Sequence, residues 1–191
     1  LYIMLALVLF FVIGCCGAVL LGRLSDIVDY LLYVDKKTGL PNREKLNIYI
    51  GEMAGKVLPE AFTCFTLNLD NLSELTKRFG YTVGDGVLKD FAGLVQLMGD
   101  TEGMRGYNGI GRFVVFFEEC SSKKAAAMIR ILDNQVEEYN SLNPEYPIRY
   151  TAAWATTEET DTYEIRELLR LSQKKWKQME KEKKDKTKEE T

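Results

Sequence analysis

Histidine is missing from all 191 residues. Its absence excludes Ser–His and Cys–His nucleophile pairs, a histidine general base and most zinc sites. Cysteine is scarce. Of the four, Cys15 and Cys16 fall in an apolar run, Cys64 in a candidate core strand and Cys120 just beyond another. No pair has metal-ligand spacing and no disulfide framework is indicated, so buried, inert thiols are expected. An excess of positive charge is lacking as well. The formal net charge is −3 and no basic face shows outside the C-terminal tail, which excludes a general nucleic-acid binder.

One stretch lacks charge of either sign. Residues 1–22, LYIMLALVLFFVIGCCGAVLLG, would span about 33 Å as a helix, against a hydrocarbon core of about 30 Å. A signal peptide has a shorter apolar centre behind a basic flank, and a buried core helix normally shows a polar face. A transmembrane helix over 1–22 is the expectation. The chain begins at Leu1, and further sequence is expected upstream. Arg23, Lys36 and Lys37 follow the apolar run, which places the bulk of the chain in the cytoplasm. A helical stalk is expected over 23–36. Leu20, Leu24, Ile27, Leu31 and Val34 recur at spacings of four, three, four and three, a short heptad seam. Gly14 and Ala18 have the small-xxx-small spacing that lets membrane helices approach. Self-association through this seam and a lone amphipathic connector both remain open.

Residues 35–46, DKKTGLPNREKL, carry turn and cap chemistry, with Asn42 a candidate N-cap. Apolar helix faces are marked by Leu46, Tyr49, Ile50 and Met53, and by Leu88, Phe91, Ala92, Val95 and Met98. Further faces run through Ala125, Met128, Ile129, Leu132, Val136 and Tyr139, and through Ile165, Leu168, Leu169 and Trp176. Strands are expected at 61–69, 112–119 and 148–156. YNGIGRF, residues 107–113, joins two strands at a turn whose Gly109 and Gly111 suit a tight bend or a close approach. The order α, β, α, β-hairpin, α, β, α implies an α/β fold, a mixed central sheet flanked by helices. Residues 174–191 hold eight lysines and five acids with almost no apolar periodicity, a solvated helix end.

Three local patterns then coincide in order and spacing. Asp35, Thr38, Gly39, Leu40, Asn42 and Arg43 match D-x-L-T-G-L-x-N-R, with Lys37 departing where that pattern has leucine. NLDNLSELTKRFGYTVGD, residues 68–85, looks like D-x-D-x-F-K-x-x-N-D-x-x-G-H-x-x-G-D and keeps Asp70, Gly80, Gly84 and Asp85. GIGRF, residues 109–113, stands where G-G-D/E-E-F belongs. Together these resemble the GGDEF family, the diguanylate cyclases, over roughly residues 35–178. The expected organisation is a transmembrane helix (1–22), a helical stalk (23–36), a degenerate GGDEF domain (37–178) and a charged tail (179–191).

The resemblance implies one GTP per domain and two domains face to face. Two magnesium ions assist attack of a ribose 3′-hydroxyl on the partner's α-phosphate, giving cyclic di-GMP. Hard cations beside a triphosphate need charged oxygen ligands. The family draws these from the first aspartate of the second motif and the third residue of the turn motif, which here are Asn68 and Gly111. The next acid of the turn motif is Arg112, the second glycine is Ile110, a lysine near the phosphates is Ser73, and a guanine-reading asparagine is Thr76. Asp85, which reads guanine in the family, survives. No register rescues the turn, because Met104 to Phe113 contains no Asp or Glu. Asp70 lies two residues past Asn68, about 6.6 Å further along a strand, and cannot replace both ligands. The family's product site, R-x-x-D, corresponds to Asp100, Thr101, Glu102 and Gly103, whose acids would repel phosphate.

The resemblance therefore points to a membrane-anchored degenerate GGDEF signalling domain, catalytically inactive, acting by protein interaction or residual nucleotide binding. The alternative is an active diguanylate cyclase making cyclic di-GMP from two GTP. The remnant nucleotide-binding positions are Asp85, Asn68, Leu69, Asp70, Thr76, Gly109 and Gly111, with no catalytic residue and no metal ligand. Asp85 is equally readable as a helix N-terminal acid favoured by the dipole. No cofactor is expected; magnesium and GTP belong to the cyclase alternative. The expected partners are the membrane and a second signalling domain, as homodimer or heterodimer, with weak GTP binding and no nucleic acid.

Overall fold

An uncharged run with no proline satisfies its backbone most simply as a helix. In the computed structural model, which describes residues 2–99 and 103–189, α1 is continuous over Tyr2–Tyr33. It is long and apolar enough to cross a membrane. The apolar run and most of the stalk are thus one helix, with Val34 of the heptad seam just past its end. Cys15 and Cys16 are exposed along it, whereas Cys64 and Cys120 are buried. Burial pushes the Cys64 thiol up to about 12, which leaves it protonated and unreactive. The chain divides between Val34 and Asp35.

The second unit opens with a turn that Asp35 ties to itself. Its Oδ1 accepts from Lys37 N at 3.1 Å, Thr38 N at 2.9 Å and Thr38 Oγ1 at 2.9 Å. Asn42 caps α2 (Arg43–Met53), its side chain accepting from Glu44 N and Lys45 N. The order then runs β1 (Thr63–Leu69), α3 (Leu72–Phe79), α4 (Tyr81–Gln96), β2 (Gly103–Tyr107) and β3 (Arg112–Phe117). It closes with α5 (Ser122–Leu142), β4 (Tyr150–Thr156), the single turn α6 (Thr157–Thr160) and α7 (Ile165–Glu189). Where one helix was expected between β1 and β2 there are two. Gly80, at φ +89°, turns the chain between them in a conformation open mainly to glycine.

The strand order is β2-β3-β1-β4. A mixed sheet was expected, but the three pairings are antiparallel: β2 with β3, β3 with β1, and β1 with β4. The α3–α4 pair carries the chain from the end of β1 so that the β2–β3 hairpin returns beside it, and periodicity cannot reveal that return direction. Alternation along the strands divides the core in two. Phe65, Leu67, Leu69, Phe113, Val115 and Phe117 pack with Val87, Leu88 and Phe91 of α4 and with Leu132 of α5. Cys64, Val114, Phe116 and Ala155 face the other way, onto Leu46 of α2 and onto Ile165 and Leu168 of α7.

The α3–α4 corner is held very close. A Cβ built at Gly84 would stand 2.3 Å from Thr76 Oγ1 and 3.4 Å from Thr76 Cα. Gly84→Ala must therefore separate the two helices, at about 1–3 kcal/mol by the usual cost of overpacking. Thermal denaturation is expected to show a loss of several degrees, largely recovered when Thr76→Ala accompanies it. Equal destabilisation in both variants would mean the contact is not the cause.

Candidate functional site

Of the positions expected from the sequence, Asn68, Leu69 and Asp70 lie at the end of β1, Gly109 and Gly111 in the β2–β3 turn, Thr76 on α3 and Asp85 on α4. Asn68 lies opposite Arg112 on β3 and Thr151 on β4. One more ladder bond, Leu69 N to Gly111 O at 2.8 Å, fastens the hairpin turn to the strand end. The turn itself runs left-handed through Gly109 (φ +85°), Ile110 (φ +54°) and Gly111 (φ +72°). Arg112 N donates to Gly109 O at 3.0 Å and Asn108 N to Arg112 O at 2.8 Å, closing it. Ile110 is 89% exposed at its tip, a β-branched residue in a conformation that costs an L-residue about 1–2 kcal/mol.

Each remnant side chain already has a partner within the chain. Asp70 accepts from Asn68 Nδ2 at 2.9 Å and from Thr151 Oγ1 at 2.6 Å, and Lys183 Nζ stands 3.7 Å from its Oδ2. Lys183 also donates to Thr151 Oγ1 at 2.7 Å and Tyr150 O at 2.9 Å. Thr76 Oγ1 returns its hydrogen bond to Leu72 O at 2.8 Å, within its own helix. The Asn71 side chain leaves the start of α3 uncapped, donating instead to Pro147 O and accepting from Arg149 N.

Asp85 meets Lys37, whose Nζ stands 2.8 Å from its Oδ1. That hydrogen bond holds the Lys37 ammonium above the ordinary lysine range, and the fields of Tyr107 and Asp35 act in the same direction. Tyr107 in turn ties to the turn, its hydroxyl accepting from Gly111 N at 3.2 Å. Asp85 is thus paired with Lys37, and Gly111 with Tyr107. Arg112 lies over the buried Trp176 ring at 5.0 Å. The Arg112 Nε and the Trp176 Nε1 are buried with no hydrogen-bond partner.

The residues present do not fit a pair of divalent ions. Gly111 offers no side chain, Asn68 offers an amide already turned to Asp70, and Asp70 shares its oxygens with Asn68, Thr151 and a lysine. Among the described residues no three His, Cys, Asp or Glu converge as a metal site. Asp100, Thr101 and Glu102 lie outside the described residues, while Gly103 starts β2, where an added Cβ would meet Phe117 Cδ1 at 2.4 Å and Phe116 O at 2.5 Å. Sequence reasoning missed Lys37, Tyr107 and Lys183 as members of the site. The signal for Lys37 was present, as the one departure from the first motif. Lys183 carried no signal, because a lysine in a run of charges looks like every other.

The chain belongs to the GGDEF family: the family model described as diguanylate cyclase, GGDEF domain, matches residues 32–186. Solved structures with the same fold agree. The FimX GGDEF domain from Pseudomonas aeruginosa is 18% identical with a TM-score of 0.61, covering 74% of this chain and 90% of that one. The coiled coil and GGDEF domain of DgcB from Caulobacter crescentus, solved in complex with c-di-GMP, is 15% identical with a TM-score of 0.62. There the coverage is 75% of this chain and 78% of that one. The Vibrio cholerae LapD S helix-GGDEF-EAL structure, bound to c-di-GMP, is 12% identical with a TM-score of 0.59, over 71% of this chain. This chain spans 31% of the LapD chain. At such identities the likeness establishes the fold alone. No curated protein matches.

Proposed function

We propose that this protein is a membrane-anchored GGDEF domain that signals without catalysis, through protein interaction or residual nucleotide binding. One observation carries the reading. At the two positions where the family places metal-binding acids stand an amide and a glycine, and the nearest carboxylate, Asp70, is engaged within the chain. A site so arranged lacks the fixed negative charge that retains two hard cations. The anchor is α1, and the positive charges of Arg23, Lys36 and Lys37 that follow the apolar run favour the inner face of the cell membrane for the domain. The partner is a second signalling domain, a copy of this chain or another protein.

The membrane and association parts are tested together. The full chain is expected to sediment with membranes and to need detergent for release. With Cys15 and Cys16 replaced by serine, Leu24→Cys is expected to trap a disulfide-linked dimer in membranes. Recovery in the soluble fraction would remove the anchor, and absence of cross-linking at Leu24 and Ile27 alike would reduce the stalk to a connector.

A further inference from the structure

The remnant pocket contains a feature that loss of catalytic acids does not require. A site that merely decayed would leave its surviving carboxylate facing water. Asp85 instead faces an ammonium group delivered by the chain itself. Lys37 comes from a turn 48 residues earlier, and that turn is rigid: Asp35 holds its backbone through three hydrogen bonds, Gly39 N donates to Asp35 O at 2.8 Å, and Leu40 is buried behind it. The backbone that carries the lysine is therefore held in place beside Asp85.

We propose that Lys37 is an internal competitor for the nucleobase, occupying the acceptor edge of Asp85 that a guanine would otherwise take. The proposal rests on reading this region as a remnant nucleotide pocket. Guanine presents two adjacent N–H donors on its Watson–Crick edge, and a carboxylate accepts both side by side; adenine offers a lone pair at the central position and is repelled. An ammonium at 2.8 Å covers one of those oxygens and neutralises the charge of the pair. A guanine entering this pocket must first displace it. Lys37 consequently lowers the preference for guanine over adenine that Asp85 would otherwise confer on the site.

Both partners are half-exposed, with side chains 54% and 41% accessible, so the competition is modest in size. Exposed ion pairs of this kind correspond to a change of about two- to five-fold in affinity. Removing Lys37 also withdraws a positive charge that attracts phosphate, which lowers the affinity of every nucleotide alike. The informative quantity is therefore a ratio, in which the phosphate contribution cancels.

The test is equilibrium binding of GTP and of ATP to the full chain in detergent. The variants are Lys37→Leu, Lys37→Arg, and Lys37→Leu combined with Asp85→Asn. Lys37→Leu is expected to raise the GTP-to-ATP affinity ratio about two- to five-fold over wild type. Lys37→Arg should keep the ion pair and the wild-type ratio, and Asp85→Asn should cancel the gain. Thermal denaturation confirms that each variant is folded. An unchanged ratio in Lys37→Leu overturns the proposal, as does a gain that survives Asp85→Asn. So does a failure of every variant to bind GTP at millimolar concentration, since a competitor without a ligand competes for nothing. None of these outcomes bears on catalytic silence, which product formation alone decides.

Discussion

The full chain, supplied at high concentration with GTP and either magnesium or manganese, will accumulate no cyclic di-GMP. Two divalent ions bring about four positive charges to a pocket where the nucleotide's own negative charge is already shared with water. In a cyclase the difference is made up by fixed carboxylates. Here the local count runs the other way. Lys37 stands on Asp85 and Lys183 near Asp70, so the acids that remain are already matched by internal cations. Loss of a group that merely supports a metal ligand costs about 10–100-fold, and two ligands themselves are missing, so turnover is expected to fall by at least about 10⁴-fold. GTP binding, measured alongside, is expected to be weak and nearly indifferent to magnesium. Product that accumulates with time and disappears on Asp85→Ala would overturn the silent reading.

The fold was legible because its signals are local. The apolar, β-rich runs TCFTLNL and RFVVFF, the Asn42 cap and the apolar stripe of α4 each declare an element without knowledge of the rest. The antiparallel pairing throughout the sheet was not legible, since strand direction follows from how α3 and α4 return the chain. Neither was the break at Gly80, where an apolar pattern continues across a glycine at φ +89°. At the site, sequence identified what was absent but not what replaced it. Asn68 and Gly111 are visible as losses in the motif itself. That Arg112 would turn onto Trp176, and that a lysine in the charged end of α7 would reach Thr151 and the vicinity of Asp70, depends on α7 lying across the sheet. Solvated charge runs conceal such contacts because one lysine in eight is distinguished only by what it reaches.

Restoring the missing acids, Asn68→Asp together with Gly111→Glu, will not restore a metal site; it will destabilise the domain. Gly111 is at φ +72°, and a Cβ there would meet Leu69 O at 3.1 Å and Leu72 Cδ2 at 3.3 Å. The backbone cannot yield freely, because Gly111 O is the acceptor for Leu69 N. An L-residue in that conformation costs about 1–2 kcal/mol before crowding is added, which corresponds to a loss of several degrees in Tm. Asn68→Asp adds a second penalty with a definite pH dependence. The amide now donates to Asp70 Oδ1 at 2.9 Å, and a carboxylate in its place sets acceptor against acceptor and charge against charge. One of the two acids would then hold its proton to a higher pH in the folded than in the unfolded chain. For such a raised carboxyl, stability is fully present below the unfolded value and is lost as pH rises through the folded one. Relative to wild type, the double variant is therefore expected to weaken as pH rises above the ordinary carboxyl range of about 4, with the backbone strain of Gly111→Glu present at every pH. Thermal denaturation as a function of pH, with and without magnesium, measures both parts. If magnesium instead raised the Tm of the double variant at pH 7 and cyclic di-GMP appeared, the turn would have accepted the side chain, and the missing acids would be all that separates this protein from a cyclase.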